Sequence, residues 1–431
     1  PRLPRHPSPP RHVEAEGKGG GAGSAFSQTM DRPTSALAVV ESAGEPHVFE
    51  DTGRGLRLTR DVLAGESLVA VPLRFCWTAG LAREQPEIAA LLRMPVELAE
   101  HTLVALHILI ERARVYGPAQ VPPEASDAAS VRAAHIPTLP AAFDTPLFWS
   151  DAELGMLRGS VWHTLALKEL QDVNAEYDVL ASAMEALDAT FATRHSISAN
   201  MYRWAYAVVH SRWAQVIADG EAIMLLAPSF DLLNHSDTLP PHGATGFNEQ
   251  RRALVAVAHR DYRAGEQAFI SYGPKSNGQL LLSGGFAFEG NRFDFVEMRL
   301  EVMCTSARVL TYMMCSPEAP PAGEQHEFEF VKVPTDEQLA HTSSPMETIH
   351  LLSLARPLPA ALLAYVRLER CSDEEFEAEQ AKAKAAGTAV WENLRADTPI
   401  SSLNELLSLS ALRLAIREKL AAFPHSAAHC E

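Results

Sequence analysis

Cysteine is scarce in this chain and never clustered. Its five copies, Cys76, Cys304, Cys315, Cys371 and Cys430, form no C-x-x-C pair, which excludes a clustered zinc site and a redox dithiol and fits a reducing compartment. Long apolar runs are also missing. None reaches the roughly 18 residues of a membrane span, and Leu103 to Ile110 is interrupted by His107, so the chain reads as soluble. Positive charge is in deficit: 37 Lys and Arg face 54 Asp and Glu, a formal net charge of -17. A surface of that sign repels phosphate backbones, which excludes nucleic acid as the natural partner. No heptad seam announces a coiled-coil oligomer. What is present, 47% hydrophobic residues in a 431-residue chain, is enough for two or three domains with a sizeable core.

Residues 1–35 are rich in Pro, Gly, Arg and Ser, including Gly19-Gly20-Gly21-Ala22-Gly23-Ser24. Such a composition buries too little apolar surface to order itself, and a disordered leader is expected. With Arg2, Arg5 and Arg11 ahead of the first acid, Glu14, the leader matches the remnant of a transit peptide. The expected location is the cytoplasm or a plastid. From Gly53 to Pro72 the pattern predicts a strand at Leu56 to Thr59, a turn at Ala64-Gly65 and a strand at Leu68 to Val71. The segment Arg60-Asp61-Val62-Leu63-Ala64-Gly65-Glu66 recurs as Arg260-Asp261-Tyr262-Arg263-Ala264-Gly265-Glu266. Two distant copies do not make a solenoid; they point to one β domain split by an insertion. The insertion, 96–220, is predicted helical from the spacing of Leu98, Leu103, Leu106 and Ile110. His135 to Trp149, with Pro137, Pro140 and Pro146, is expected to be an extended connection within it. A second β block follows at 221–292. Beyond it, Ser372 with Glu375 and Ser402 with Glu405 read as capping boxes of a helical C-terminal domain, 293–431.

Three segments carry candidate chemistry. Gly53-Arg54-Gly55-Leu56, with Ala64-Gly65-Glu66-Ser67-Leu68 after it, lets a backbone turn tightly or pass close to a ligand; alone it reads as a structural turn. Phe230-Asp231-Leu232-Leu233-Asn234-His235-Ser236 places a histidine beside an apolar run, alone most simply a core histidine. Ala268-Phe269-Ile270-Ser271-Tyr272-Gly273 delivers a tyrosine at a strand end, alone a buried tyrosine whose hydroxyl needs a partner. A zinc hydrolase built on His235 and His242 fails on ligand spacing.

Together and in this order the three segments resemble the SET domain. Tyr272-Gly273-Pro274-Lys275-Ser276-Asn277, followed by Leu280-Leu281-Leu282-Ser283-Gly284-Gly285-Phe286, is similar to the Rubisco large-subunit lysine methyltransferases and the related actin-histidine methyltransferases. His135-Ile136-Pro137-Thr138-Leu139-Pro140, Tyr202-Arg203-Trp204-Ala205 leading to Ser211-Arg212, and Pro357-Leu358-Pro359 fit the same branch. The resemblance covers roughly residues 45 to 425. It implies an α+β fold: a β-rich SET domain with a pseudo-knot, a helical insert and an all-helical C-terminal substrate-binding domain.

The resemblance further implies S-adenosylmethionine as cofactor, a non-histone protein as substrate, and transfer of a methyl group to a side-chain nitrogen. Glu66, Ser67 and Leu68 would lie along the cofactor, Arg212 would pair with its carboxylate, and Asn234 and His235 would hold its amine and adenine with Asp231 nearby. Gly284, Gly285 and Phe286 would line the adenine pocket. Displacement from a sulfonium needs alignment more than covalent help, and an apolar channel favours the neutral lysine amine. Phe230, Phe286 and Tyr272 are candidates for its walls, and Tyr272 is the expected catalytic residue. Two departures bear on the acceptor. Gly284 stands where the Rubisco-type lysine enzymes carry a second tyrosine. Ala214 and Phe230 stand where the histidine enzymes carry asparagine and tryptophan. Lysine is the favoured acceptor and histidine the alternative; a catalytically inactive SET-fold scaffold is the reading from another class.

Overall fold

The computed structural model describes residues 40–117, 127–240, 245–302, 346–355, 357–395 and 398–423. The leader, His242, Cys304, Cys315 and Cys430 lie outside the described residues. Within them, no helix is long and apolar enough to cross a membrane.

The chain enters through β1 (Glu41–Ser42), β2 (Gly44–Phe49), β3 (Gly53–Leu58), β4 (Ser67–Pro72) and β5 (Trp77–Thr78). In β4, Leu68, Val69, Ala70 and Val71 are all buried, as a short unbroken apolar run requires. Helices follow: α1 (Ala79–Arg83), α2 (Pro86–Leu91), α3 (Glu100–Tyr116), α4 (Asp127–His135), α5 (Asp151–Gly155), α6 (Val161–Leu187), α7 (Phe191–Arg194) and α8 (Ala199–Arg212). Thr102 through Glu111 of α3 are buried on every face, because α1, α4 and α8 surround that helix. The segment from His135 to Trp149 is less extended than its prolines imply. His135 closes α4, and single 3-10 turns form at Ile136–Thr138 and Pro146–Phe148. Proline disfavours helix in the residue before it, yet its own φ suits the first positions of a turn.

The return β block holds β6 (Ala214–Ala218), β7 (Glu221–Leu226), β8 (Asn234–His235), β9 (Thr245–Asn248), β10 (Ala253–Val257) and β11 (Gln267–Ile270). β6 thus begins ahead of the boundary expected at 221. The strands form sheets ordered β1-β4-β10-β9, β2-β3-β11-β8 and β5-β7-β6. Pairing is antiparallel except between β8 and β11. Strands far apart in sequence are therefore neighbours, as expected of a β domain split by an insertion.

The two copies of the Arg-Asp turn pack against each other with near two-fold symmetry. Val62 bridges Tyr262. Asp61 Oδ1 accepts the Ala264 N–H and Asp261 Oδ1 accepts the Ala64 N–H, both at 2.8 Å. Gly65 N donates to the Ala258 carbonyl and Gly265 N to that of Leu58, both at 2.7 Å. Each glycine has φ near +90°, +85° at Gly65 and +91° at Gly265, where a side chain would be strained.

α9 (Asn277–Gly284) packs on α8 and leads to the C-terminal part. There an antiparallel pair, β12 (Val296–Val302) with β13 (Met346–Leu352), adds a small sheet to the expected helices. The helices are α10 (Ala360–Arg370), α11 (Asp373–Ala386), α12 (Val390–Arg395) and α13 (Ser402–Ala422). The Ser372–Glu375 capping box forms. The second box does not: Ser401, not Ser402, caps α13 by accepting the Asn404 N–H at 3.0 Å. Glu405 instead pairs with Arg367, a side chain only 1% exposed, at 2.8 and 3.0 Å. A buried guanidinium without a carboxylate is far more costly than a missing cap bond.

Candidate active site

The central strands bring the three sequence segments together. β3 pairs with β11 at Leu56↔Ala268, and β11 pairs in parallel with β8 at Phe269↔Asn234 and Ile270↔His235. Asn234 reaches across to the Gly-Arg-Gly segment, its Nδ2 donating to the carbonyls of Thr52 at 3.3 Å and Arg54 at 3.1 Å. A Cβ on Gly55 would stand 2.4 Å from Gln267 Nε2 and 3.0 Å from Asn234 Nδ2. Glycine is therefore needed here to let the strands close.

His235 Nδ1 accepts the Tyr272 backbone N–H at 3.0 Å, which leaves the ring proton on Nε2. Burial is the main force that lowers this imidazole to about 4, with Lys275 and Arg292 adding and Asp237 opposing. The Tyr272 ring lies 5.2 Å from the His235 ring in a stacked pose, and its hydroxyl donates to the Leu233 carbonyl at 2.8 Å. Burial pushes that hydroxyl up to about 12, so it stays neutral and keeps its lone pairs facing outward from the bond it donates.

Behind this strand trio sits a buried charge cluster. Asp231 lies in the 3-10 turn Phe230–Leu232, which follows Ser229 at a strained φ of +67°. Arg212, the last residue of α8, donates through Nη1 to the Asp231 carbonyl at 2.7 Å and to Oδ2 at 3.3 Å. His135 Nε2 lies 3.2 Å from the same carboxylate, while His135 Nδ1 takes the indole N–H of Trp77 at 3.0 Å. An indole nitrogen only donates, so the His135 proton is on Nε2 and is given to Asp231. Burial by itself pushes the Asp231 carboxyl up, but His135, Arg212 and Arg54 outweigh it and hold it well below the usual carboxylate range.

Several polar atoms here are buried with no hydrogen-bond partner among the described residues: Arg54 Nε and Nη2, Arg212 Nε, His235 Nε2 and Asp231 Oδ1. Folded proteins leave few such atoms, at a cost of roughly 1–3 kcal/mol each. Their clustering marks a place for a ligand rich in acceptors.

The remaining expected residues divide. Phe286 is half-buried, and a Cβ on Gly284 would come within 2.7 Å of its ring. Gly285 caps α9 at φ +73°, and a Cβ there would meet the Asp144 backbone at 2.8 Å. Ala214 and Phe230 line one cavity of about 250 Å³ with Val216, Phe247 and Leu254. The Glu66 carboxylate is engaged in its own turn, taking the Leu63 N–H at 3.0 Å and Arg60 at 3.1 Å as Glu266 does in the twin turn. Leu68 is fully buried in the core, and Ser67 opens β4. The Glu66 and Leu68 side chains are committed to the turn and the core, whereas Ser67 Oγ is buried with no hydrogen-bond partner among the described residues. Arg54 and the Trp77–His135 pair join the site without having been singled out for it. A lone arginine between glycines and a histidine ahead of a proline carry no local signal of the distant Asp231 that organises them.

Comparison with solved structures settles the architecture. The SET domain of LSMT bound to lysine and AdoHcy superposes with a TM-score of 0.63 at 22% identity, covering 91% of this chain and 81% of that one. Rubisco LSMT bound to sinefungin and monomethyllysine gives 0.62 at 20% identity with the same coverage. The chain has the SET-domain fold. Residues 329–429 match the family model described as Rubisco LSMT substrate-binding, so the SET core is followed by that type of domain. The actin-histidine N-methyltransferase of Danio rerio is 30% identical over 342 residues, 76% of this SET chain and 50% of the relative. The chain spans about half the length of the curated relatives it matches. The motif resemblance is thus borne out from both sides of its branch, the lysine-type SET structures and the histidine-type relatives.

Proposed function

We propose that the chain is an S-adenosylmethionine-dependent protein N-methyltransferase acting on a lysine of a non-histone protein. The observation that carries this reading is the group of buried donors without a partner among the described residues, Arg212 Nε and His235 Nε2, beside a neutral, partly buried Tyr272. A carboxylate and a nucleobase are the acceptors such donors suit. When bound, S-adenosylmethionine supplies a methyl group on a positively charged sulfur for in-line transfer to nitrogen. Arg212, Asn234, His235 and the Gly284-Gly285-Phe286 segment are the residues to hold it, with Asp231 fixing Arg212 from behind and Glu66 to Leu68 contributing backbone. Residues 293–431 are the proposed substrate-binding part, supported by the family match within them.

Tyr272 donates its own proton to the Leu233 carbonyl, so its oxygen accepts from the polarised groups around the reacting nitrogen and holds the acceptor in line. Ala214 and Phe230 give one side of the cavity an apolar surface, with Gln215 and Thr245 also lining it, and an amine held against the apolar side is shifted toward its neutral form. Ala214 brings no side-chain amide of its own to orient an imidazole, which favours lysine. Histidine is the second reading, favoured by the actin-histidine relatives and by Gly284. Labelled S-adenosylmethionine, incubated with the protein and a methyl-depleted cell extract, tests the proposal. Label on a lysine supports it, label on a histidine moves it to the second reading, and cofactor binding without transfer leaves a SET-fold scaffold.

A further inference from the structure

The N-terminus of α6 is capped from a distant strand. Ser160, at the N-cap position, makes no side-chain bond to the helix; its hydroxyl donates to the Leu157 carbonyl at 2.7 Å. The first helical N–H, that of Val161, goes instead to Oε1 of Glu297 in β12 at 2.7 Å, 136 residues further on. A carboxylate suits the positive end of a helix dipole. The same oxygen takes Lys419 Nζ of α13 at 3.0 Å, and Glu297 is only 2% exposed. One buried acid thus ties the helical insert to β12 and to α13. The surroundings leave the joint little play. Gly159 turns at φ +87°, and a Cβ there would lie 2.6 Å from the Ala422 carbonyl at the end of α13. The Trp162 ring stands 6.0 Å from that of Phe295, and a Cβ on Gly278 of α9 would fall inside the Trp162 indole. Asp294 accepts the Asn277 N–H at 2.9 Å where α9 begins. A cap that served α6 alone would need no cation from α13.

We infer that Glu297 is a positioning residue: with Lys419 it fixes the C-terminal part at one angle to the SET core, so that a protein substrate meets both in a single docking step. The inference rests on the proposed methyltransferase reading. A substrate held by two parts binds best when their relative placement is set beforehand, because ordering them then costs nothing further on binding. The residues proposed to hold the cofactor all belong to the SET core, so cofactor affinity does not depend on the joint. The competing arrangement is a cap that serves folding alone.

The rate of methyl transfer from labelled S-adenosylmethionine to methyl-depleted cell extract, followed against extract concentration with the full chain, distinguishes these cases. Lys419→Met leaves the Glu297 cap on α6 and removes only the tie to α13. Glu297→Gln keeps an acceptor for the Val161 N–H and loses the ion pair. Each is expected to raise the half-saturating extract concentration by about 5-fold, the scale of one partly exposed ion pair. The plateau rate and the calorimetric affinity for S-adenosylhomocysteine are expected to stay as they are. The double variant is expected to match either single one, since both remove the same bond. An unmoved half-saturating concentration in Lys419→Met overturns the inference, whether or not the glutamine variant folds. A lower plateau at an unmoved half-saturating concentration also overturns it, because it identifies a folding role. An unaltered protein that binds no S-adenosylhomocysteine, or transfers no methyl group, overturns the methyltransferase reading itself, and this inference with it.

Discussion

Replacing His135 with leucine removes the side chain that links α4 of the helical insert to the charged cluster. His135 is fully buried and bonded at both ring nitrogens, to Trp77 Nε1 at 3.0 Å and to Asp231 Oδ2 at 3.2 Å. Leucine has similar volume, so the loss is polar: the indole N–H keeps no acceptor and the carboxylate loses one donor while retaining Arg212 at 3.3 Å. Two buried groups left short at roughly 1–3 kcal/mol each give an expected destabilisation of about 2–6 kcal/mol near neutral pH. The sign with pH follows from Asp231. Its folded carboxyl lies below the ordinary value, so the stability it contributes is fully present above about pH 4 and is lost as pH falls through the folded value. Removing a donor raises that folded value. The gap between the two proteins in urea unfolding should hold from pH 7 to about 5 and narrow in more acid solution, and His135→Gln should recover part of it. A leucine variant as stable as the original at pH 7, or a gap that widens in acid, would refute the reasoning.

Tyr272→Phe deletes the bond to the Leu233 carbonyl and the aligned oxygen; methyl transfer should fall by about 10²-fold or more, the scale of one lost transition-state contact, with calorimetric cofactor affinity unchanged. Gly285→Ala forces a side chain into φ +73° and into the Asp144 backbone at 2.8 Å, so thermal unfolding should show a loss of at least ~1 kcal/mol, and an unaltered melting temperature would contradict it. Burial, with Arg132 and Arg114 adding, lowers His107 to about 3, and burial lowers His210 to about 4. The unfolded chain protonates these rings first as pH drops below about 6.5, so stability should decline from there toward pH 4, and His107→Leu should flatten that decline in urea titrations.

Much of this architecture is legible in the residues because the signals are local. The Arg60 and Arg260 turns announce themselves by repetition, and the buried run Leu68 to Val71 by hydropathy; the two turns meet through buried Val62 and Tyr262. Tyr272 and His235 could be proposed because their flanking motifs are specific. The Trp77–His135–Asp231–Arg212 chain could not, since its members come from four elements and only tertiary structure joins them. Glu66 shows the opposite failure: a residue inside a recognisable motif has its carboxylate committed to the local turn. The Ser402 box fails for a tertiary reason, because Glu405 is drawn away by the buried charge of Arg367.

The most direct test of the central claim is a crystal structure of the protein grown with S-adenosylhomocysteine. The account predicts the ligand beside β8, with its carboxylate on the Arg212 side of Asp231 and the His235 Nε2 proton taken up by the ligand. A ligand bound elsewhere, or a crystal grown at saturating ligand in which Arg212 Nε and His235 Nε2 still face no acceptor, would contradict it.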